Sequence, residues 1–374
     1  AAPTSTTTKA AAPPPTSTST KAAAPTTSSK AAAAPSSAKM PAAKPAPSEV
    51  ETAPAPAVTE TRKEQPASVP RIEVEEDEDV EPTRVGRAQQ RAPIRPLVEK
   101  IVFDEGADEP ADPASAASLL IHAVAQTDTG RRRKQNEDSY LLLDKESVFI
   151  VADGMGGHRG GQVASKLAVT TMGHAFERKN FEAAAHENIA LEASELARAV
   201  QMANTAIFTE AKKSRDLEGM GTTLVAARFS ADKQRLYIAH VGDSRCYRVR
   251  DGVMRQMTSD HTMADYGVTG PEGAHLSRAL GVWPTVPIDV IMVSPEVGDL
   301  YLLCSDGLTK MISDGTIATQ LLHEEDPKAA VSRLVFFANS HGGKDNITVV
   351  LLRVVPPGWK PPRTTLPPPS ASEA

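Results

Sequence analysis

Large apolar side chains are confined to one part of this 374-residue chain, and their distribution limits what can fold. Residues 114–355 contain 13 of the 15 aromatic residues but only five of the 30 prolines, whereas residues 1–113 contain 18 prolines and a single aromatic residue, Phe103. A segment without large apolar side chains cannot offset the conformational entropy that ordering costs. We therefore predict a disordered region over residues 1–113 and one globular domain over residues 118–355, a length ample for a sizeable core.

Both ends of the chain have the composition of flexible segments. Residues 1–48 repeat runs of Ser and Thr followed by Lys, Ala and Pro, and residues 73–81 (EVEEDEDVE) are almost entirely acidic. The repeats indicate a spacer, with contact of their lysines to an acidic surface as the alternative, and the acidic run indicates a solvated linker, with a docking site as the alternative. Residues 356–374 contain seven prolines and are predicted to be disordered.

Charge and cysteine content exclude several functional classes. The net charge is −6, but the acids are concentrated in residues 49–113, so the globular part is close to neutral and lacks the basic face that a nucleic-acid binder needs. Cys246 and Cys304 are too few for a disulfide framework and wrongly spaced for a zinc site, so we expect a reducing compartment, the cytoplasm. No apolar run reaches the roughly 18 residues of a membrane span. Because the chain begins with Ala rather than Met, we expect an N-terminal piece to be missing or removed.

Within the globular part the apolar pattern alternates between two periods. Short apolar or alternating runs such as SYLLLD, SVFIVAD and RLYIAHVG predict about eight or nine strands, and Asp251-Gly252 predicts a two-residue hairpin turn. Apolar residues three and four positions apart, without Pro, predict helices over residues 161–178 and 189–213, and two further helices are predicted near residues 313–323 and 327–340. Strands in hairpin order with two separate pairs of helices indicate an α+β fold, in which antiparallel sheets are covered by helices.

Four aspartates occupy nearly the same position relative to the predicted strands. Asp153, Asp243 and Asp306 follow apolar strands directly, and Asp345 precedes one. Carboxylates at strand ends project from a rigid scaffold into the loops, where several of them can converge on a hard cation. Turn formation alone also explains each aspartate singly, but a turn does not require an apolar strand to run into the aspartate three times. The set therefore favours a divalent-metal site.

A glycine cluster, GMGGHRGG, covers residues 154–161 directly after Asp153. Its spacing differs from G-x-G-x-x-G, the adjacent acid would repel a pyrophosphate, and the chain contains no G-x-x-x-x-G-K-[ST] motif. Close approach of the backbone to a ligand or metal, with a carbonyl free to coordinate, explains the glycines better than a nucleotide-binding loop. His158 is interpreted as a loop residue, with proton transfer as the alternative.

The segment TDTGRRRKQNEDS places Arg131, Arg132 and Arg133 close to Glu137 and Asp138. Basic and acidic residues in such proximity are compatible with a simple solvated turn. Beside a metal held by carboxylates, however, an arginine would provide the planar group that grips phosphate oxygens. The residues alone leave both interpretations open.

Seven motifs follow one another between about Ala123 and Val354, and together they resemble the bacterial form of the metal-dependent Ser/Thr protein phosphatases of the PPM family, the protein phosphatase 2C-like enzymes. One motif would be weak support, but seven in order are highly specific. The resemblance implies two antiparallel β-sheets packed face to face and flanked by helices, an α-β-β-α sandwich, with Mg²⁺ or Mn²⁺ at one edge. The motifs are TDTGRRRKQNEDS, VADGMGGHRGGQVAS, EGMGTTL, HVGDSRCYRVRDG, SRALG, YLLCSDGL and DNITVV.

The resemblance also implies a set of metal ligands. Asp153 resembles the carboxylate that bridges two metal ions, and Gly154 resembles the residue whose carbonyl binds one of them. Asp306 and Asp345 resemble ligands of the other ion, and Asp243 resembles a ligand of a weaker third ion.

Further residues of the motifs are implied to act on water and phosphate. Glu137 and Asp138 resemble the acids that hold metal-bound waters, and Arg133 resembles the phosphate-binding arginine. Met155 occupies the position of a histidine that is proposed as general acid in eukaryotic relatives, so the resemblance does not identify this acid here. Residues 258–281 form a shorter flap than is usual in bacterial members, which predicts a more open cleft.

The implied activity is hydrolysis of phosphoserine and phosphothreonine in proteins by a metal-activated water, opposing a Ser/Thr kinase. We expect phosphoprotein substrates, no nucleic-acid partner, no membrane span and a monomer. A catalytically silent regulator of the same fold that binds phosphoproteins is the alternative, but the intact Asp153, Asp306 and Asp345 argue against it.

Overall fold

The computed structural model describes residues 97–104, 107, 119–156, 160–181 and 189–362. In chain order the elements are β1 (Leu97–Phe103), β2 (Leu120–Asp128), β3 (Asp138–Leu143), β4 (Val148–Met155), α1 (Gly160–Arg178), α2 (Leu191–Ala211), β5 (Gly221–Thr222), β6 (Leu224–Phe229), β7 (Leu236–Val241), β8 (Arg245–Arg250), β9 (Val253–Gln256), β10 (Pro287–Val293), β11 (Leu300–Cys304), α3 (Asp306–Thr309), α4 (Asp314–His323), α5 (Pro327–Ser340) and β12 (Ile347–Val355).

The described strands form two sheets that pack face to face. The first has the order β1-β10-β7-β6-β4-β3, with β5 paired to β4, and the second has the order β2-β12-β11-β8-β9. Pairing is antiparallel within both sheets except between β1 and β10, which are parallel. Helices α1 and α2 cover the first sheet, and α4 and α5 cover the second. The predicted α-β-β-α sandwich is confirmed.

Alternate side chains of each central strand enter different parts of the core. On β4, Val148 and Ile150 pack under α1 and α2, whereas Phe149 and Val151 pack between the sheets. This alternation follows from the two-residue period of a strand. Because both faces are buried, the strand is apolar from Val148 to Ala152, and its apolar run ends at Asp153, where the chain reaches the edge of the sandwich.

Most local predictions agree with the structure. The helices begin and end within about two residues of the predicted bounds. The hairpin between β8 and β9 turns at Asp251 and Gly252, whose φ angles of +50° and +77° are those of the expected turn with two left-handed residues. The apolar run GTTLVAARF, residues 221–229, divides into β5 and β6 at Thr223.

The N-terminal boundary of the domain was predicted wrongly. Leu97–Phe103, which composition assigns to the disordered region, form an edge strand that pairs with β10. Val98 and Ile101 pack against the core beneath the helices, and Val102 packs against the core between the sheets. Composition averaged over 113 residues conceals this strand, because seven residues that add to an existing sheet need little apolar surface of their own.

A buried ion pair fastens the end of β1 to the second sheet. The carboxylate of Asp104 is almost inaccessible, and it pairs with the guanidinium of Arg248 on β8. Its other oxygen accepts a hydrogen bond from Arg255 of β9 at 2.9 Å. The segment that precedes the predicted domain therefore links both sheets.

The C-terminal boundary also differs from the prediction. The predicted tail begins at residue 356, yet the ring of Trp359 lies 5.1 Å from that of His122, between ring centroids, and 5.6 Å from the guanidinium carbon of Arg353. The remainder of the predicted disordered regions, residues 1–96 and 363–374, lies outside the described residues, as does most of 105–118. In the part of the chain that the structure describes, no helix has the length and apolar character needed to cross a membrane.

Candidate active site: an acidic edge of the sandwich

The predicted acids meet at one edge of the sandwich, although they come from both sheets. Asp138 begins β3 and lies opposite Asp153 of β4 in the antiparallel register. Asp306 begins α3 after β11, Asp243 lies between β7 and β8, and Asp345 lies two residues before β12. Burial raises the pKa of Asp153 well above its ordinary value, and the carboxylates of the other four acids raise it further. All five negative groups therefore lie within electrostatic reach of one another.

Two further carboxyl groups of the cluster also resist ionisation. Burial raises the pKa of Asp138 to about 7 and that of Asp243 to about 6, and the charge of Asp306 adds to both shifts. Burial and neighbouring like charges both disfavour a carboxylate relative to its protonated form. The cluster thus concentrates more negative charge than the surrounding protein neutralises, and a bound cation would stabilise it.

The hydrogen bonds of the cluster leave specific oxygens without a donor. Oδ2 of Asp138 accepts hydrogen bonds from Ser305 at 2.8 Å and from Thr348 at 2.6 Å. Its Oδ1 is buried without a partner, and so is Oδ1 of Asp306. Buried polar atoms are normally satisfied, and carboxylate oxygens are the ligands that Mg²⁺ and Mn²⁺ prefer. The residues therefore fit divalent metal ions.

Only one of the three consecutive arginines lies beside the cluster. Nη2 of Arg133 donates to Oδ2 of Asp345 at 2.8 Å, and its Nη1 lies 3.7 Å from Oε2 of Glu137. The side chain remains 48% exposed, so it is accessible to a ligand. Arg131 and Arg132 are exposed, and both donate their backbone N–H groups to the carbonyl of Gly343. The structure therefore places beside the acids the arginine that the resemblance singled out, Arg133, and separates it from its two neighbours.

The glycines after Asp153 allow two parts of the backbone to pack closely. A Cβ atom on Gly154 would overlap the carbonyl oxygen of Gly161 at the start of α1, and a Cβ on Gly161 would lie 2.7 Å from the carbonyl oxygen of Gly154. The sequence predicted close approach of the backbone to a ligand or metal. The structure shows that these glycines also let the backbones of β4 and α1 pack against each other. His158, in the same cluster, lies outside the described residues.

Hydroxyl and amide groups of the β5–β6 segment fix the backbone of Asp153. Its carbonyl accepts hydrogen bonds from Oγ1 of Thr222 and from the N–H of Thr223, each at 2.8 Å. Its N–H donates to Oγ1 of Thr223 at 3.2 Å, and that hydroxyl lies 2.7 Å from Oγ of Ser244. Thr222 and Thr223 therefore have a structural role, because they hold the carboxylate-bearing residue rather than contribute charge.

Comparison with known proteins identifies this arrangement. The family model described as protein phosphatase 2C matches residues 126–344, which include all the predicted site residues except Asp345. The chain belongs to the protein phosphatase 2C family. The family that the motifs resemble is thereby confirmed.

Bacterial Ser/Thr phosphatases are among the relatives of this phosphatase 2C chain. The serine/threonine phosphatase stp of Listeria innocua is 39% identical over 246 residues, which cover 62% of this chain and 95% of that protein. The serine/threonine protein phosphatase PstP of Mycobacterium tuberculosis is 38% identical over 249 residues, which cover 64% of this chain and 46% of PstP. A crystal structure of the PstP catalytic domain in complex with two manganese ions aligns with a TM-score of 0.55 and 39% identity, covering 63% of this chain and 99% of that one.

Asn346 organises the phosphatase site, although the sequence pattern did not single it out. Its side-chain amide donates to the carbonyls of Thr129 and Gln135, each at 2.9 Å, and its Oδ1 accepts from the N–H of Glu137 at 2.8 Å. These bonds close the loop that carries Arg133 onto the start of β12. The adjacency of Asn346 to Asp345 in the motif DNITVV was the available signal.

The flap of this phosphatase, residues 258–281, borders a cleft beside the acids. The flap contains two short 3-10 helices, Met263–Tyr266 and Pro271–Ala274. Together with Asp243 and Lys310 it lines a cleft of about 570 Å³ that opens to solvent. His261 holds the base of the flap through two hydrogen bonds to Gly242. The backbone N–H of His261 donates to the Gly242 carbonyl at 2.9 Å, and its ring Nδ1 accepts from the Gly242 N–H at 3.1 Å. The flap is therefore fixed next to the turn that carries Asp243.

A second buried polar group ties the other end of the flap to β1. Arg278 donates to Asp289 at 2.9 Å and to Glu99 of β1 at 3.1 Å. His261 lies 3.4 Å from Asp289, and its ring stacks on that of His240 with 4.5 Å between the centroids. Nitrogens of His240 and His261 and a carboxylate oxygen of Asp289 lie within 4.8 Å of one another, but the guanidinium of Arg278 already provides the cation for Asp289. We interpret this group as a charge network that supports the flap.

Proposed function

We propose that this protein removes phosphate from phosphoserine and phosphothreonine side chains of proteins by means of a metal-activated water. The observation that carries the proposal is the buried acidic cluster, in which Asp138 and Asp306 each leave an oxygen without a donor while Arg133 lies at its border. When bound, two Mg²⁺ or Mn²⁺ ions would lower the pKa of water towards neutrality and offset the charge of a phosphate ester.

We assign the metal ligands as the motifs imply. Asp153 would hold both ions, a role supported by its burial and by the four other carboxylates that act on it. The carbonyl of Gly154 would hold one ion, and Asp306 and Asp345 would hold the other. Asp243 would hold a weaker third ion, supported by its burial close to Asp306.

Three residues act on water and phosphate in this proposal. Asp138 and Glu137 orient the water. Hydrogen bonds from Ser305 and Thr348 hold one oxygen of Asp138, and Asn346 holds the backbone of Glu137. The guanidinium of Arg133 binds two phosphate oxygens through parallel N–H groups. Its pairing with Asp345 and Glu137 keeps it directed towards the acidic edge before substrate arrives.

The cysteines do not support the alternative of thiol-based phosphate transfer. Cys246 and Cys304 are fully buried in the strands of the second sheet. Burial raises the pKa of both thiols, that of Cys304 to about 12. A nucleophilic cysteine needs the opposite, an accessible thiolate of lowered pKa.

Removal of protein phosphate implies a partner activity that adds it. We therefore propose that the protein opposes a Ser/Thr kinase in the cytoplasm and acts as a monomer. The phosphatase domain in this proposal begins at residue 97 rather than at residue 118, because β1 completes the first sheet.

Hydrolysis of p-nitrophenyl phosphate and of a phosphothreonine peptide by the full chain tests the function. We expect turnover of both that requires added Mn²⁺ and stops with EDTA. Binding of the phosphopeptide without turnover at any Mn²⁺ concentration would instead favour the catalytically silent regulator.

Replacement of Arg133 tests the phosphate contact. We expect Arg133→Ala to raise KM and to lower kcat/KM by about 10- to 1,000-fold, since a lost charge-assisted contact costs about 1.5–4 kcal/mol. Arg133→Lys should recover only part of the loss, because an ammonium cannot make two parallel bonds. Arg132→Ala is the matched control, because the described contact of Arg132 is through its backbone. An equal loss in Arg132→Ala would contradict the assignment.

A further inference from the structure

Lys310 lies among the acids of the proposed metal site. Its ammonium group pairs with Oδ2 of Asp306 and lies 3.7 Å from Oδ2 of Asp243. These two carboxylates come from different parts of the fold, the start of α3 and the turn between β7 and β8. Lys310 therefore joins the acid assigned to the two-ion centre with the acid assigned to a weaker third ion.

The local backbone directs Lys310 back to this position. Helix α3 is a single turn, and the N–H of Lys310 donates to the carbonyl of Asp306 at 2.8 Å, which brings residue 310 above residue 306. Ion pairs between side chains four residues apart on a helix are common on protein surfaces. That explanation covers Asp306 but not Asp243, which is remote in sequence and approaches from another strand.

The burial of the two acids separates this contact from an ordinary surface ion pair. The side chains of Asp243 and Asp306 are 10% and 14% exposed, whereas that of Lys310 is 51% exposed. Two carboxylates with so little access to water depend on a nearby cation for neutralisation. The ammonium provides that charge from the side of the cleft, where Lys310 and Asp243 both line the wall.

We propose that Lys310 is a built-in cation that occupies the place of a third divalent ion between Asp243 and Asp306, and so limits the centre to two tightly bound ions. This inference rests on the proposed function, because it presupposes the two-ion centre. A dication entering between the same carboxylates would meet a positive charge a few ångströms away, and like charges at that distance repel. The long, half-exposed stem of lysine can swing away, so the competition weakens binding of the third ion rather than abolishing it.

Mn²⁺ binding to the full chain tests the inference without measuring activity. The stoichiometry and affinity are measured by titration calorimetry and by the electron paramagnetic resonance signal of free Mn²⁺. We expect two tight ions in the wild type and in Lys310→Arg, which keeps the charge. Lys310→Gln, which removes the charge but keeps a polar side chain only one atom shorter, should bind a third ion at least about tenfold more tightly than the wild type. Adding Asp243→Asn to Lys310→Gln should remove that gain.

Each result decides between the inference and the function on which it rests. Two ions in the wild type with an unchanged third affinity in Lys310→Gln would overturn the role of Lys310 and leave the two-ion centre intact. A gain in Lys310→Gln that persists with Asp243→Asn would also overturn it, because the third ion would then bind elsewhere. No Mn²⁺ binding by any variant would overturn the two-ion centre and the inference together.

Discussion

Asp153→Asn should reduce phosphatase turnover at least about 1,000-fold while leaving the domain folded. An amide of the same shape cannot neutralise two adjacent dications. The metal centre contributes several kcal/mol to the rate enhancement, and each factor of ten in rate corresponds to about 1.36 kcal/mol. Turnover is measured at saturating Mn²⁺, and the fold is followed by circular dichroism.

The same substitution should stabilise the metal-free protein. Burial raises the pKa of Asp153 above its unfolded value, so ionisation of this group opposes folding increasingly as the pH rises towards the folded-state pKa. In EDTA we expect a higher melting temperature for Asp153→Asn than for the wild type, with a larger difference at pH 8 than at pH 5. Asp144→Asn, at an exposed position of the adjacent β3–β4 turn, should change neither property. More than about a tenth of wild-type turnover in Asp153→Asn would rule out the bridging role.

Deletion of residues 1–113 should destabilise the domain by at least about 3 kcal/mol, whereas deletion of residues 1–96 should not. The longer deletion removes β1, uncovers the edge of β10 and leaves the buried guanidinium of Arg248 without Asp104. Loss of one partner of a buried ion pair alone costs about 3–5 kcal/mol. For a domain of this size, a loss of about 3 kcal/mol corresponds to a fall of about 6–12 °C in melting temperature, measured by calorimetry on the three proteins side by side.

Point variants separate the ion pair from the rest of β1. Asp104→Asn in the full chain leaves the Arg248 charge buried, and we expect most of the loss to appear in this single variant. Asp104→Asn combined with Arg248→Met removes both charges and should be the more stable of the two, because no unpaired charge remains. Glu99→Gln is the matched control, since Glu99 is 47% exposed where it pairs with Arg278 and exposed pairs contribute about 0–1 kcal/mol. Equal stability of the two deletion variants would show that β1 contributes nothing.

The local elements could be predicted from the sequence because their signals are local. The helical spacing of apolar residues identified α1, α2, α4 and α5. The dipeptide Asp251-Gly252 identified a turn that requires two residues in the left-handed conformation. The acids of the site were also accessible, since Asp153, Asp243 and Asp306 each interrupt an apolar strand as it leaves the core. A charged residue at the end of an apolar strand indicates that the chain has reached the edge of the sandwich. This holds for any strand, whatever its place in the order of the sheet.

Pairing between remote segments could not be predicted in the same way. The charge pattern of RRR does not indicate which arginine lies beside Asp345, because that depends on how Asn346 and Gly343 bind the loop; only the resemblance of the motif to its family singled out Arg133. The sequence also does not indicate that Leu97–Phe103 adds to β10, since an edge strand takes much of its stability from the backbone of its neighbour rather than from its own composition.

The sequence by itself thus determined the family, the sandwich and the set of acidic residues. Each of these follows from the order of the motifs and from the spacing of apolar residues along the chain. Only the tertiary structure decided the opposition of Asp138 to Asp153, the fastening of Asp104 to Arg248 and the position of Lys310 between Asp306 and Asp243. The contacts of Asp104 with Arg248 and of Lys310 with Asp243 join residues far apart in sequence, and that of Asp138 with Asp153 is set by the register of two neighbouring strands. Charge–charge interactions depend on distance in space, so the electrostatics of the site follow from the folded structure.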